Sequence, residues 1–178
     1  MSLRPVYLRA LVSLGDEDPD FREVISPLEA RRLGRLLKRA VWCSARALKD
    51  AGIEQPDAVI TATDYGCMEN SEAFLGGVLD PEAGALSPTR FMQSTHNTIG
   101  SLIAIRLGCH GYNATYSHTG NSLRSALDDA HLQIGLGDID TALVGWYDER
   151  TPAMDASRLP GSKRAMALVL SAFPKPQP

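Results

Sequence analysis

Cysteine is scarce in this 178-residue chain: Cys43, Cys67 and Cys109 are odd in number and far apart. That excludes a disulfide framework, and no pair has the spacing of metal ligands. No apolar run is long enough to span a bilayer, and the first residues lack an apolar signal core. A protein of the reducing cytoplasm is therefore expected, without membrane insertion. Charge of neither sign dominates: 18 Lys and Arg against 21 Asp and Glu leave a net charge of −3, which points away from a nucleic-acid surface. No repeat and no linker-like segment divides the chain, so residues 1–178 are read as one domain. With 44% hydrophobic and 22% charged residues, it has the composition and length to bury a core.

The segments that are present alternate in type. Val6 to Gly15 reads as a first strand. Ser26-Pro27-Leu28-Glu29 has helix-start chemistry, a serine cap with proline in the first turn and glutamate three residues on. Leu33, Leu36, Leu37, Ala40, Val41, Ala47 and Leu48 then repeat at helical spacing, which predicts one helix to Lys49 or Asp50 that stops near Gly52. Pro56 to Thr63 is a short buried strand, followed by a helix from Glu69 to Leu79. Ser87 to Arg90 reads as a turn, and Asn97 to Leu107 as a mostly buried helix broken at Gly108. Ile139 to Tyr147 and Arg164 to Ser171 are apolar strands, separated by a loop from Thr151 to Gly161. The order predicts an α/β fold with a mainly parallel five-stranded sheet, covered by helices on both faces.

Between the buried helix and the last two strands lies the most informative stretch, Tyr112 to Leu123. It reads as a strand that enters a sharp turn and then a helix ending at Gly135-Leu136-Gly137. Such a turn pushes a side chain outward, and the helix N-terminus favours negative charge on it, which suits a nucleophile. The turn holds Gly120, which has nothing to attack with.

Three runs carry a resemblance. Leu86 to Gly100 (with Ser94-Thr95-His96-Asn97 at its centre), Gly108 to Tyr116, and Gly137 to Gly145 resemble the N-terminal half of β-ketoacyl synthase-like proteins. The subgroup they resemble is that of the aryl-polyene and flexirubin pigment clusters. The resemblance covers nearly the whole chain. It implies a thiolase-like half, in which active members carry a cysteine on the strand-to-helix turn. The second half of those members supplies two histidines and part of the oxyanion hole. Lining up the motifs puts the cysteine position at Gly120. Decarboxylative condensation needs a thiolate to hold the acyl chain and donors for the developing oxyanion, so this chain is not expected to condense acyl groups by itself.

The resemblance further implies a homodimer, or a heterodimer with an active ketosynthase, paired through the strand Asn113 to Thr119. The chain would act as a chain-length factor does. It would need no cofactor of its own; the phosphopantetheine of an acyl carrier protein would bring the acyl group. Ser94, Thr95, His96, Asn97, Tyr116, Ser117, His118 and Asn121 are the residues expected at the acyl channel or interface. His96 has a second reading, as a structural histidine capping its turn. Arg35, Lys38 and Arg39 lie in a basic helical run, read as a solvated face or, more boldly, as a landing patch for an acidic carrier.

The alternative is an independent acyltransferase or thioesterase using His96, Ser117 or His118. Adjacent strand residues point to opposite faces, which sets Ser117 and His118 apart as a nucleophile-base pair. Cys67, just after Gly66, could be an acidified thiol or a small buried residue. Asp148 and Glu149 end a strand and are read as structural, pairing with Arg150 or Arg164.

Overall fold

The computed structural model describes residues 3–82, 84–118, 120–161 and 163–175. Five strands form one sheet: β1 (Tyr7–Ser13), β2 (Ala58–Ala62), β3 (Tyr112–Tyr116), β4 (Thr141–Asp148) and β5 (Arg164–Ser171). Their order across the sheet is β1-β5-β4-β2-β3. The helices are α1 (Pro27–Ala30), α2 (Arg35–Ala51), α3 (Met68–Leu79), α4 (Pro88–Met92), α5 (Thr98–Leu107), α6 (Ser122–Leu136) and α7 (Pro152–Ala156).

The sheet is mixed rather than mainly parallel. β2 runs parallel to β3 and β4, whereas β5 is antiparallel to both β4 and β1. A parallel neighbour requires a crossover to the far end of the sheet. The segment between β4 and β5 contains only the short α7, so β5 runs back along β4. β2 is buried along its whole length, as a strand covered on both faces must be.

One face carries α2 and α5. Leu37, Ala40, Cys43 and Ala47 of α2 pack with Ile99 and Ile103 of α5 on Val59, Leu143, Tyr147, Ala167 and Val169. The Tyr147 ring occupies the space over Gly145, where a Cβ would lie 2.1 Å from it. Its hydroxyl meets Ser44 Oγ at 2.7 Å in the buried layer. The other face carries α6, whose Ala126, Ala130 and Ile134 pack on Ala58, Ile60, Ala142 and Val144. On that side β1 is left uncovered, and Leu8 and Leu11 are exposed.

Three boundaries differ from expectation. The first long helix is split: Ser26 caps α1 by accepting the Glu29 N–H, but Gly34 adopts an extended conformation and begins α2 afresh. Asn70 of α3 lies 3.1 Å from where a Gly34 Cβ would be, so α3 approaches the chain at this break. The turn at Ser87 is the start of α4, with Ser87 Oγ accepting the Arg90 N–H. The loop after Thr151 contains α7, capped by Thr151 in the same way. Each has a Ser or Thr cap followed by proline, a helix start too brief to show periodicity. Among the described residues no helix is long and apolar enough to cross a membrane.

Candidate functional site

The C-terminal ends of the parallel strands β2, β3 and β4 converge at one end of the sheet, where open α/β folds place their chemistry. Asp148, at the end of β4, ties them together. Its Oδ1 accepts the Thr63 hydroxyl at 2.7 Å and the N–H groups of Asp64 and Tyr65 at 2.9 and 3.1 Å. Its Oδ2 accepts the Trp146 indole N–H at 3.0 Å. Burial pushes the Asp148 carboxyl above its ordinary value, against the lowering pull of the Thr63 hydroxyl and the two N–H groups.

The β2–α3 loop held in this way in turn fixes the β3–α6 elbow. Ser122 Oγ is 2.6 Å from Asp64 Oδ1, 2.9 Å from the Thr63 carbonyl and 2.5 Å from the His118 carbonyl, and it accepts the His118 N–H at 3.0 Å. One hydroxyl proton is thus surrounded by three acceptors, and Ser122 is buried. Ser122 is held as a tether and is not presented as a nucleophile. Gly120 stands at the apex, exposed, with φ +81 and nothing within 4 Å of the position a Cβ would take. That backbone region is costly for any residue with a side chain.

The expected site residues surround the elbow without forming a catalytic constellation. Ser117 and His118 are exposed, and among the described residues no hydrogen bond joins their side chains. The His118 ring lies 6.1 Å from that of Tyr116, between centroids. Asn121 precedes α6 without a side-chain cap bond. Thr119 lies outside the described residues. His96 is exposed and its ring borders Gly66, about 3.5 Å from the position of a Cβ there. It makes no capping bond; that work falls to its neighbours. Ser94 Oγ donates to the Phe91 carbonyl at 2.7 Å, and Thr95 and Thr98 hydroxyls meet at 2.8 Å. Asn97 stands at the N-cap of α5 with its side chain unused.

The cysteines are free among the described residues, and Cys43 and Cys67 are buried. Burial, and then the charges of Glu149 and Asp148, push the Cys67 thiol up to about 12. It is therefore a packed apolar residue and not an acidified nucleophile.

Two expectations are corrected. Arg35, Lys38 and Arg39 do not present three free cations. Arg39 is 7% exposed and donates to Asp18 at 2.6 Å, while Arg35 reaches the same carboxylate at 2.7 Å. Lys38 lies over the Phe21 ring, 5.8 Å from its centroid. The acidic loop that precedes α1 neutralises the patch. Asp148 and Glu149 were expected to pair with Arg150 or Arg164, but Arg150 pairs with Asp155 instead. Glu149 accepts the Glu69 N–H at 2.7 Å, at the start of α3. It lines a cavity of about 270 Å³ with Glu69, Glu72, Arg35 and Lys163. Burial, followed by the charges of Glu69 and Glu72, raises its carboxyl to about 7.

Thr63, Asp64 and Ser122 escaped the sequence reading as site residues. Their signal was positional: each sits where a predicted parallel strand ends or the following helix begins. Among the described residues no group of three or more His, Cys, Asp or Glu could hold a metal ion.

The mixed sheet, its helices on both faces and the tethered elbow define a thiolase-like α/β half. The chain belongs to the β-ketoacyl synthase family, whose N-terminal domain matches residues 10–177. A ketosynthase in complex with its chain length factor from Xenorhabdus doucetiae is similar at a TM-score of 0.69 and 23% identity, over 83% of this chain and 61% of that one. The ishigamide ketosynthase/chain length factor gives 0.69 and 20%, over 86% and 48%. A type II PKS acyl-carrier protein in complex with its ketosynthase bound to the hexaketide gives 0.79 and 15%, over 96% and 63%. The chain thus spans about half to three fifths of the length of these relatives. No curated protein matches it.

Proposed function

We propose that the chain is a catalytically silent, ketosynthase-like subunit that pairs with an active ketosynthase and shapes its acyl pocket. The observation that carries this reading is Gly120: the elbow that bears the cysteine in active relatives carries a hydrogen atom, in open space. Among the described residues no neighbouring group substitutes for it, because Ser122 is consumed as a tether and Ser117 and His118 are not paired. This also counts against the alternative of an independent acyltransferase or thioesterase. The acyl group would be carried by the partner's cysteine and delivered on the phosphopantetheine of an acyl carrier protein, in aryl-polyene, fatty-acid or polyketide synthesis. Free thiols throughout the described chain fit a reducing cytoplasm.

A partner surface supports the same reading. The main packing partner of α3 is α4, and α3 buries none of its residues. Together they expose Leu75, Val78, Leu79, Phe91 and Met92, with Phe74 and Phe91 rings 5.3 Å apart. An exposed apolar cluster of this kind marks an interaction site. Phe91→Asp is expected to weaken binding to the ketosynthase encoded nearest this chain at least about 10-fold, since a truncated aromatic anchor typically costs 2 kcal/mol or more. Surface plasmon resonance on the purified pair measures it. Unchanged affinity would remove this surface from the interface.

Gly120→Cys tests the silent elbow. It is expected to cost about 1 kcal/mol for its left-handed backbone. It should also add a thiol that iodoacetamide alkylates at least about 10-fold faster than buried Cys43 and Cys67. Mass spectrometry after incubation with an acyl-carrier thioester is the decisive assay for the whole proposal. A covalent acyl adduct on the native chain, with turnover in the absence of a partner, would overturn it.

A further inference from the structure

Helix α3 is tied to the end of the sheet at its start. Its N-cap residue, Cys67, makes no side-chain cap bond. Among the described residues its hydrogen bonds to other elements all fall at residues 69–72. Two of them reach the segment after β4: Glu149 Oε1 accepts the Glu69 N–H at 2.7 Å, and the Thr151 hydroxyl donates to Glu72. The other two, from Asn70 to Gln93 and from Ser71 to the Ser94 carbonyl, lead to the residues after α4. Beyond Glu72 the helix exposes Leu75, Val78 and Leu79 and packs on α4. The root of this apolar unit is therefore the cavity of about 270 Å³ that Glu69, Glu72 and Glu149 line together. Three carboxylates so placed disfavour one another's ionisation. The cations that face them from α2 and from the segment after β4 are engaged elsewhere: Arg35 and Arg39 share Asp18, and Arg150 pairs with Asp155. Lys163, just before β5, is exposed. Asp16, after β1, and Asp148, on β4, add further carboxyls to the walls, and the Cys67 thiol, pushed up to about 12, stays neutral. Burial, with the Glu69 and Glu72 charges, outweighs the Glu69 N–H and Arg35 and leaves the Glu149 carboxyl at about 7.

We infer that α3 and α4 form a proton-seated docking arm: a proton on Glu149 holds the root of α3 against the end of β4, its loss loosens the arm, and a partner that binds the exposed cluster selects the seated, protonated form. The geometry supplies the two parts of such a device. One is a group whose ionisation is opposed by its surroundings. The other is an element with no buried residue of its own, which can give way without opening the core. A carboxyl that holds its proton more tightly in the seated form than in the loosened, solvated one favours seating while protonated. Seating is thus strongest below about 4.5, weakens as pH rises, and is flat beyond about 7. The inference rests on the proposed pairing with a ketosynthase only for the identity of the partner; the loosening belongs to the isolated chain.

The test uses the full chain. Hydrogen exchange of the α3 amides, corrected for the intrinsic effect of pH, is expected to quicken at least about 10-fold between about pH 5 and about pH 8. In Glu149→Gln it should stay level, with thermal melts confirming that the variant folds. Glu69→Gln keeps its N–H but removes one of the repelling charges, so a smaller increase than in the native chain is expected. Exchange that is equal at the two pH values in the native chain, or that quickens as much in Glu149→Gln, overturns the arm. Titration against the ketosynthase then reads the coupling: between the same pH values the native chain is expected to lose at least about 3-fold more affinity than Glu149→Gln. The same pH dependence in both proteins overturns the control of docking. A native chain that binds no ketosynthase at either pH sinks the functional reading instead, and the exchange measurement still decides whether Glu149 seats α3.

Discussion

Asp148→Leu is expected to lower the melting temperature by about 6–12 °C, the shift that a loss of about 3 kcal/mol produces in a domain of this size. The side chain it removes accepts four hydrogen bonds, from the Thr63 hydroxyl, the Asp64 and Tyr65 N–H groups and the Trp146 indole. Leucine would fill the volume and satisfy none of them. Orphaned buried donors cost about 1–3 kcal/mol each before relaxation, and water reaching the loop recovers part of that sum. Asp148→Asn separates the charge from the geometry. Its amide oxygen can still serve Thr63 and the loop, but its NH₂ would face the Trp146 N–H, so a smaller loss of about 1 kcal/mol is expected. Differential scanning calorimetry orders the three proteins. A Leu variant as stable as the Asn variant would show that Asp148 does not hold the β2–α3 loop.

Glu149→Gln is expected to do the opposite, with an advantage that grows above about pH 4.5 and is complete by about pH 7. The carboxyl has an ordinary value of 4.5 and is raised to about 7 in the fold. A carboxyl raised by folding favours the native state while protonated. Stability from this group is therefore full below about 4.5, falls as pH rises through 7, and is flat beyond. The total loss is about 3 kcal/mol at most. Glutamine cannot ionise, and its carbonyl can still accept the Glu69 N–H. Urea denaturation should thus find the variant and the native chain alike at pH 4.5 and the variant more stable by up to about 3 kcal/mol at pH 8. A variant less stable at pH 8 would mean that the start of α3 and Arg35 hold the ionised carboxylate after all.

Much of this architecture could be read from residue order. The strands at 58–62 and 164–171 were legible as continuous apolar runs, and the helices α5 and α6 by the left-handed glycines, Gly108 and Gly137, that end them. The direction of β5 was not legible, since it depends on which end of the sheet a loop stays at. Gly120 was visible because a strand, a turn and a helix are local events. The tether beneath it was not. Ser122 and Asp64 stand 58 residues apart, Thr63 and Asp148 85 apart, and each is an ordinary polar residue until the sheet brings them together. The basic run failed for the same reason: Asp18 is far enough in sequence from Arg35 and Arg39 to leave the pairing unseen.

The sheet order has a bearing on how the protein comes into being. Of the five described strands β1 leaves the ribosome first, and its sheet neighbour is β5, the last of the five to be made. β5 also stitches β1 to β4, so until residue 171 has emerged the nascent sheet holds at most β4, β2 and β3. Closure then joins segments more than 150 residues apart, the kind of long-range pairing that makes folding slow and leaves intermediates exposed. Assembly with a partner therefore waits on β5, and a ribosome-stalled chain lacking it would keep its β3 edge while having no finished body behind it.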